Sequence, residues 1–541
     1  MSAQEDLFVG VDVGTGSARA ALVTCGGEVL SVATKSIQIW YPEPHFAEQS
    51  SEDIWTAVCQ VTKEVIARFD INRIKGIGFD ATCSLVAIDK QGNPLSVSPS
   101  GKHEQNIIMW MDHRAESEVK RVNDTKHRVL DFVGGKISLE MQIPKLLWLK
   151  NNIGADYFER AGHFFDLPDF LTWKATGATS RSLCSLVCKW TYLVEEGGQG
   201  RGHWPRDFFQ QIGLSDLRDE QIGTDVRMPG SLVGKLSTDA ATQLGLHPEV
   251  RVGTSLIDAH AGTLGMIGCN AAEGASRNFT ERLGLICGTS SCHMAVSEDS
   301  LFVPGVWGPY FSAVLPNMWL SEGGQSASGR LLDHIILSHP AKELFKDKSL
   351  PEITKELNDI VANLGAGMDM INLTRDVHVI PDFHGNRSPL ADSERSGMIT
   401  GLTLDTSKKN LAILYLATVQ AIAYGTKHIL DAMQSHGHNF SCALICGGLA
   451  KNALFVQTTS DVLGIPVLLP QELESVLLGA AILGATAAGA YPSVQEAATK
   501  MCGGAARIEP TTGSQEFHRR KYAVFLKMLD DQIEYKKIME K

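Results

Sequence analysis

Asp12 lies near the end of the apolar stretch Phe8–Val13, and Gly14-Thr15-Gly16-Ser17 follows directly. Glycines at such a turn are expected to take strained backbone angles and to leave amides bare for an anion. The Thr15 and Ser17 hydroxyls add donors. A carboxylate beside a polyphosphate needs a cation between the two, and that is the chemistry Asp12 would serve. The same pattern returns in the second half of the chain: Leu283–Cys287, then Gly288-Thr289-Ser290-Ser291, then Cys292–Val296. Two such turns in two halves point to a duplicated domain, each copy offering one phosphate-gripping loop to a shared cleft.

Other segments carry groups suited to a polyhydroxylated ligand. Trp110-Met111-Asp112-His113-Arg114 reads either as the opening of a solvated helix or as a polyol clamp. In the clamp, the ring covers C–H faces and the opposite charges of Asp112 and Arg114 bind hydroxyls. Lys189 sits within the apolar and aromatic segment Leu183–Leu193, and Glu322 opens the run Glu322–Ser326. Long charged side chains in such settings are costly to bury unless paired or ligand-bound. Asp258 stands between the strand-like Val252–Ile257 and small residues that open a helix, a place that fits a helix N-cap carboxylate. Gly447 and Gly448, with Asn452 beyond them, form a strand-to-helix turn suited to a flat adenine ring. Asp382–Pro389 is another polar, turn-forming run.

The elements that must position these groups are legible in outline. Phe8–Val13, Ala20–Val23 and Val29–Ala33 read as a three-stranded meander. A Rossmann fingerprint wants a third glycine and a helix where this chain has Arg19 and a strand. Each Gly-Lys, at Gly101, Gly135 and Gly234, lacks the Ser or Thr of a P-loop. Ser50–Asp53 opens a helix that runs through Ile54–Phe69. Ile74–Asp80 returns as a strand and delivers Ala81-Thr82-Cys83-Ser84 to a strand end, where α/β proteins place ligand loops. Residues 130–215 read as helices and connections, with residues 197–206 an exposed loop. Leu411–Ala432 is a long helix, Ala443–Cys446 a strand, and Phe517–Lys541 a charged amphipathic helix.

Composition bounds the rest. A chain of 541 residues is too long for one core, so two large domains are expected, 1–266 and 267–541. The formal net charge of −12 argues against nucleic acid or an anionic membrane as partner, so any anionic ligand must be held by local donors. The acidic start leads straight into the first strand, and no signal or transit peptide is visible. Val476–Ala490 is short and rich in Gly and Ala, a buried helix rather than a membrane span. An odd number of cysteines, 11, without a secreted-framework spacing points to a reducing cytosol. The i,i+4 pairs Cys184/Cys188 and Cys442/Cys446 leave a metal site open but read first as buried thiols.

Asp12–Gly16, Trp110–Arg114, Gly253–Gly265, Gly288–Ser290 and Gly447–Asn452, in this order, resemble the FGGY carbohydrate kinases over residues 8–490. Asp80–Ser84, Cys188-Lys189-Trp190, Gly288–His293 and Glu322–Ser326 look like the ribulokinase branch. The resemblance implies an α/β chain with two RNase H-like domains of the actin/hexokinase/Hsp70 type around a catalytic cleft. It implies ATP and Mg²⁺ as cofactors and a ketopentose, D-ribulose foremost, as substrate. It also implies roles: Asp258 as general base, Asp12 near the metal, Gly14–Ser17 and Gly288–Ser290 as phosphate loops, and Gly447, Gly448 and Asn452 at adenosine. Ala81, Thr82, Lys189, Asp258 and Glu322 would line the sugar, to which the clamp reading adds Trp110, Asp112 and Arg114. Leu449 stands where relatives often carry a third glycine. Alternatives are another pentulose or polyol kinase (L-ribulose, D-xylulose), or a non-metabolic ATPase or sugar sensor on the same fold. A cytoplasmic location is expected, and a homodimer is left open.

Overall fold

The computed structural model describes residues 5–154, 156–194, 202–271, 276–365 and 368–540. It is an α/β molecule built on two large sheets. The first is seven-stranded, ordered Leu232–Lys235, Arg251–Gly253, Ile74–Ala81, Leu7–Val13, Ser17–Thr24, Val29–Ser36, with Leu256–Ile257 also paired to Ile74–Ala81. The expected meander is present: Leu7–Val13, Ser17–Thr24 and Val29–Ser36 are successively antiparallel. Ser50 caps the helix Ser51–Ile66 by accepting from the Asp53 amide, and the chain returns as Ile74–Ala81, parallel to Leu7–Val13.

The second, eight-stranded sheet repeats this plan. Arg282–Cys287, Ser291–Ser297 and Trp319–Gln325 form an antiparallel meander. The long helix Lys408–Ser435 then leads to Cys442–Cys446, parallel to Arg282–Cys287. Strand, turn, strand, strand, helix and parallel return thus occur in both halves of the chain, as the recurring Gly-Thr-Ser turn suggested.

Two helices join the halves. Asp258–Ile267 packs on the Arg282–Cys287 strand, while Ser475–Ala488, from the far end of the sequence, lies on the first sheet. Ser475–Ala488 packs backbone-close on both the first sheet and Asp258–Ile267 because a glycine stands at each contact. A Cβ on Gly78 would stand 2.0 Å from Ala480 O, and one on Gly479 would stand 1.9 Å from Ala261 O. No side chain larger than hydrogen fits at either place. Ser475–Ala488 is the buried helix read from Val476–Ala490. No helix among the described residues is long and apolar enough to cross a membrane. The terminal helix Ser514–Met539 buries Phe517, Phe525, Met528 and Leu529 and leaves its charged face in water. Of the loop expected at residues 197–206, residues 202–206 lie within the described residues, and they are not an exposed loop: Gly202–His203 is a short strand, Trp204 and Pro205 are buried and Arg206 opens a helix.

Candidate active site

Three neighbouring parallel strands end on the cleft, and their register decides what they present. Asp12 pairs with Asp80 and Val13 with Ala81, while Leu256 and Ile257 pair with Asp80 and Ala81 from the other side. Asp258 therefore leaves the sheet beside Ala81 and Thr82, on the edge that carries Asp12. The Thr82 amide donates to Val13 O at 3.0 Å, and its hydroxyl lies 3.2 Å from Ser84 Oγ.

Asp258 is the first residue of its helix, with Ile257 in the N-cap position, so the capping alternative fails. Its Oδ1 accepts from the Ala259 amide at 2.7 Å. The side chain is half-buried, and burial together with the charge of Asp12 pushes its pKa up to about 7. Asp12 accepts from Arg19 Nε at 2.8 Å and Nη2 at 2.6 Å, and Arg19 also reaches Glu474 at 2.7 Å. Asp80 is fully buried, neither of its oxygens has a hydrogen-bond partner, and burial beside Asp12 holds its pKa well above the ordinary range. Three carboxylates against one guanidinium form an oxygen donor set that fits a hard divalent cation such as Mg²⁺.

The first turn continues directly from this edge, and the second follows the strand Arg282–Cys287. The Gly14 amide donates to Ser17 O at 3.0 Å and the Gly288 amide to Ser290 O at 2.9 Å. The expected backbone strain is absent: none of Gly14, Gly16 and Gly288 takes a φ in the left-handed region. A Cβ on Gly16 would meet nothing within 4 Å, and one on Gly14 or Gly288 only a backbone oxygen at 3.9 Å. Glycine here keeps the approach open rather than easing a torsion. Thr15 and Ser290 are half-buried at the turns and Thr289 is exposed. Gly447 is different. Its φ is 90° and a Cβ would stand 2.5 Å from Cys287 O, so this glycine locks the turn against the strand behind the second loop. Gly448 is exposed with open space around it. Asn452 caps the helix Ala453–Leu463, accepting from the Leu454 amide at 3.1 Å, while its Nδ2 donates to Tyr415 OH at 2.7 Å. It shapes the turn and is engaged at both ends. Leu449 is half-buried against the second core.

The charged clamp expected at Trp110–Arg114 takes a different form. Asp112 and Arg114 have no exposed side-chain surface. Arg114 bonds Asp112 and Glu48, each at 2.8 Å, and stacks over Phe46 at 4.0 Å; Asp112 accepts from the Ala47 amide at 2.6 Å. Opposite charges two residues apart satisfy each other inside the fold and leave no atom for hydroxyls. What they hold in place is Trp110, whose Nε1 donates to Thr15 Oγ1 at 3.0 Å and whose amide donates to Ser84 Oγ at 3.2 Å. The indole ties the Gly14–Ser17 turn to the loop after Thr82.

Lys189 and Glu322 are both buried beside Trp307. Lys189 ends the helix Leu183–Lys189, is 2 % exposed, and lies 3.8 Å from Glu140 and 4.4 Å from the Trp307 ring. Burial opposes its charge, but Cys83, Glu322 and Glu140 raise its pKa beyond the ordinary range. Glu322 is paired in register with Trp307 and held by Arg387, whose guanidinium stacks 4.1 Å from the same ring. Burial pushes its pKa up, and Lys189 with Arg387 outweighs that, so it stays ionised. Glu322 Oε2 has no hydrogen-bond partner.

Sequence reasoning missed several of these groups. Arg387 lay in the polar run Asp382–Pro389 and Asp80 in the strand-end run, but neither carried a role. Trp307 and Glu140 offered no signal, because only the fold brings them to Lys189.

This geometry can be set beside known proteins. The N-terminal domain model of the FGGY family of carbohydrate kinases matches residues 7–265, and the C-terminal domain model matches 283–488. The chain belongs to the FGGY family of carbohydrate kinases. As a member it is an ATP-dependent sugar kinase. It is 53% identical over 552 residues to a human FGGY carbohydrate kinase domain-containing protein, covering 99% of this chain and 98% of that one. A D-ribulokinase of Saccharomyces cerevisiae is 39% identical over 525 residues, covering 91% and 73%. The crystal structure of a ligand-bound xylulose kinase from Lactobacillus acidophilus superposes with a TM-score of 0.79 at 17% identity, covering 97% and 98%, and shows the shared two-domain fold.

Proposed function

We propose that this FGGY kinase transfers the γ-phosphoryl group of ATP to the terminal hydroxyl of a ketopentose, D-ribulose before others. The observation that carries the reading is the buried pair Lys189 and Glu322, set around the Trp307 indole and near enough to Asp258 to shift its titration. An indole face takes C–H surface, an ammonium donates to sugar oxygens, and the free Oε2 of Glu322 accepts from a hydroxyl. Lys189 and Arg387 balance Glu140 and Glu322 in charge, which suits a neutral polyol better than a sugar acid. The kinship to the yeast D-ribulokinase supports D-ribulose.

Phosphoryl transfer asks little covalent chemistry of a protein; positioning and charge stabilisation dominate. In this reading the open turns at Gly14–Ser17 and Gly288–Ser291 receive the β- and γ-phosphates on amides and hydroxyls. Gly447 and Gly448 give the adenine a flat backbone surface. Asp12 and Asp80 would hold Mg²⁺, which neutralises phosphate charge when bound. Ala81 and Thr82 border the sugar beside Asp258, which takes the proton of the attacking hydroxyl as the alkoxide develops. Closure of the cleft excludes water.

ADP release with ATP, Mg²⁺ and a panel of D-ribulose, L-ribulose, D-xylulose, ribitol and glycerol tests the substrate. D-Ribulose should give the highest kcat/KM. A panel led by D-xylulose or glycerol would overturn the assignment.

A further inference from the structure

Behind the sugar-facing groups lies a second cluster, all of it buried. Cys184 and Cys188 stand one turn apart on the helix Leu183–Lys189, facing His260 at the start of the Asp258–Ile267 helix. The two thiol sulfurs and a His260 ring nitrogen all lie within 4.8 Å of one another. His260 Nε2 is 3.4 Å from Cys188 Sγ and 3.6 Å from Glu322 Oε2, the oxygen that lacks a hydrogen-bond partner. A tetrahedral zinc ion, with Zn–S near 2.3 Å and Zn–N and Zn–O near 2 Å, has S–N edges of about 3.6 Å and N–O edges of about 3.3 Å. The two measured edges at His260 already match. No edge among the two sulfurs and the ring nitrogen exceeds 4.8 Å, so reaching the S–S value of about 3.8 Å needs at most about 1 Å of movement, within reach of a thiol rotation.

From this geometry we propose that Cys184, Cys188, His260 and Glu322 form a site for one soft divalent cation of the zinc class, whose occupancy excludes the sugar. The exclusion clause rests on the proposed sugar site, because it needs Glu322 Oε2 to serve both ligands. Charge is conserved in the exchange. The ion enters with two positive charges, the two thiols become thiolates, and two protons leave to solvent. The balance struck among Lys189, Arg387 and Glu140 is therefore unchanged. Sulfur ligands select this class of ion over Mg²⁺, so the site does not compete for the cation that accompanies ATP.

Co²⁺ added to the reduced, full-length protein without sugar or nucleotide is the direct probe. The expected result is a thiolate-to-cobalt charge-transfer band that saturates at one ion per chain and is abolished by Zn²⁺. Calorimetry in buffers of different ionisation heat should record two protons released per Zn²⁺. D-Ribulose should weaken Zn²⁺ binding, and Zn²⁺ should raise the KM for sugar while leaving the KM for ATP unchanged. Cys184→Ser, which alters no residue placed in the kinase machinery, should keep its turnover and raise the inhibitory Zn²⁺ concentration at least tenfold. No charge-transfer band from the wild type would overturn the site, whatever the sugar assays give and whether or not the variant folds. Equal Zn²⁺ inhibition of wild type and a folded Cys184→Ser would do the same. A band indifferent to D-ribulose would overturn the shared use of Glu322 alone.

Discussion

Asp258 holds its proton up to about pH 7 because burial and the charge of Asp12 both disfavour the carboxylate. Only the ionised form can accept a proton from the sugar. The kcat/KM for sugar should therefore rise about tenfold per pH unit on the acid side, level above about 7, and report the free enzyme. Asp258→Asn should lower kcat by about 10²-fold or more while nucleotide still binds, since the phosphate donors lie elsewhere. A flat profile down to about pH 5, or a folded Asn variant with normal turnover, would remove the residue from the chemistry. Lys189→Met tests the sugar side. A lost charge-assisted hydrogen bond, worth about 1.5–3 kcal/mol, should raise the KM for D-ribulose about 10- to 100-fold and leave the KM for ATP unchanged. At this scale residue type was readable and partnership was not. Asp112 and Arg114 have the right chemistry for a clamp, yet Glu48 and the Phe46 ring, far away in sequence, claim them first. Asp80 looks like one more strand-end residue until register sets it beside Asp12.

Glycines distinguish the elements that build the cleft from those that serve it. At Gly78 the neighbour is the Ala480 carbonyl, 2.0 Å from where a Cβ would be, and neither sheet nor helix can yield. Gly78→Val should cost about 3 kcal/mol or more of stability, seen as a lowered midpoint of urea unfolding. Gly288→Val adds its side chain to open space at a backbone angle any residue accepts, so folding should survive. ATP affinity should fall, measured by calorimetry, while sugar binding without nucleotide stays. Equal loss of stability in both variants would make the turn a folding element and not a phosphate loop. The meander, its capped helix and the parallel return were legible because apolar period, Ser50 and the turn glycines agree locally. The packing of Ser475–Ala488 on the first sheet was not, since its partners Gly10, Gly76 and Gly78 stand hundreds of residues away.

At the scale of the whole molecule, one plan occurs twice, and in the proposed reading each copy contributes half of the reaction centre. The first sheet supplies Asp12, Asp80, Ala81 and Asp258; the second supplies Glu322 and Trp307, with the turn at Gly288. The repeat of the Gly-Thr-Ser turn made this division visible in the sequence. The gathering of Lys189 and Glu322 around Trp307 was hidden, because it needs both halves folded and joined. The central claim is that this junction directs the γ-phosphoryl group to the terminal hydroxyl of a ketopentose, with Asp258 taking the proton. Phosphorus NMR of the product formed from D-ribulose and ATP by wild type and by Asp258→Asn tests it most directly. One phosphomonoester coupled to the C5 methylene protons, formed by the wild type and absent with the folded variant, is the result expected. Phosphate on any other carbon, or release of inorganic phosphate with no sugar ester, would contradict the account.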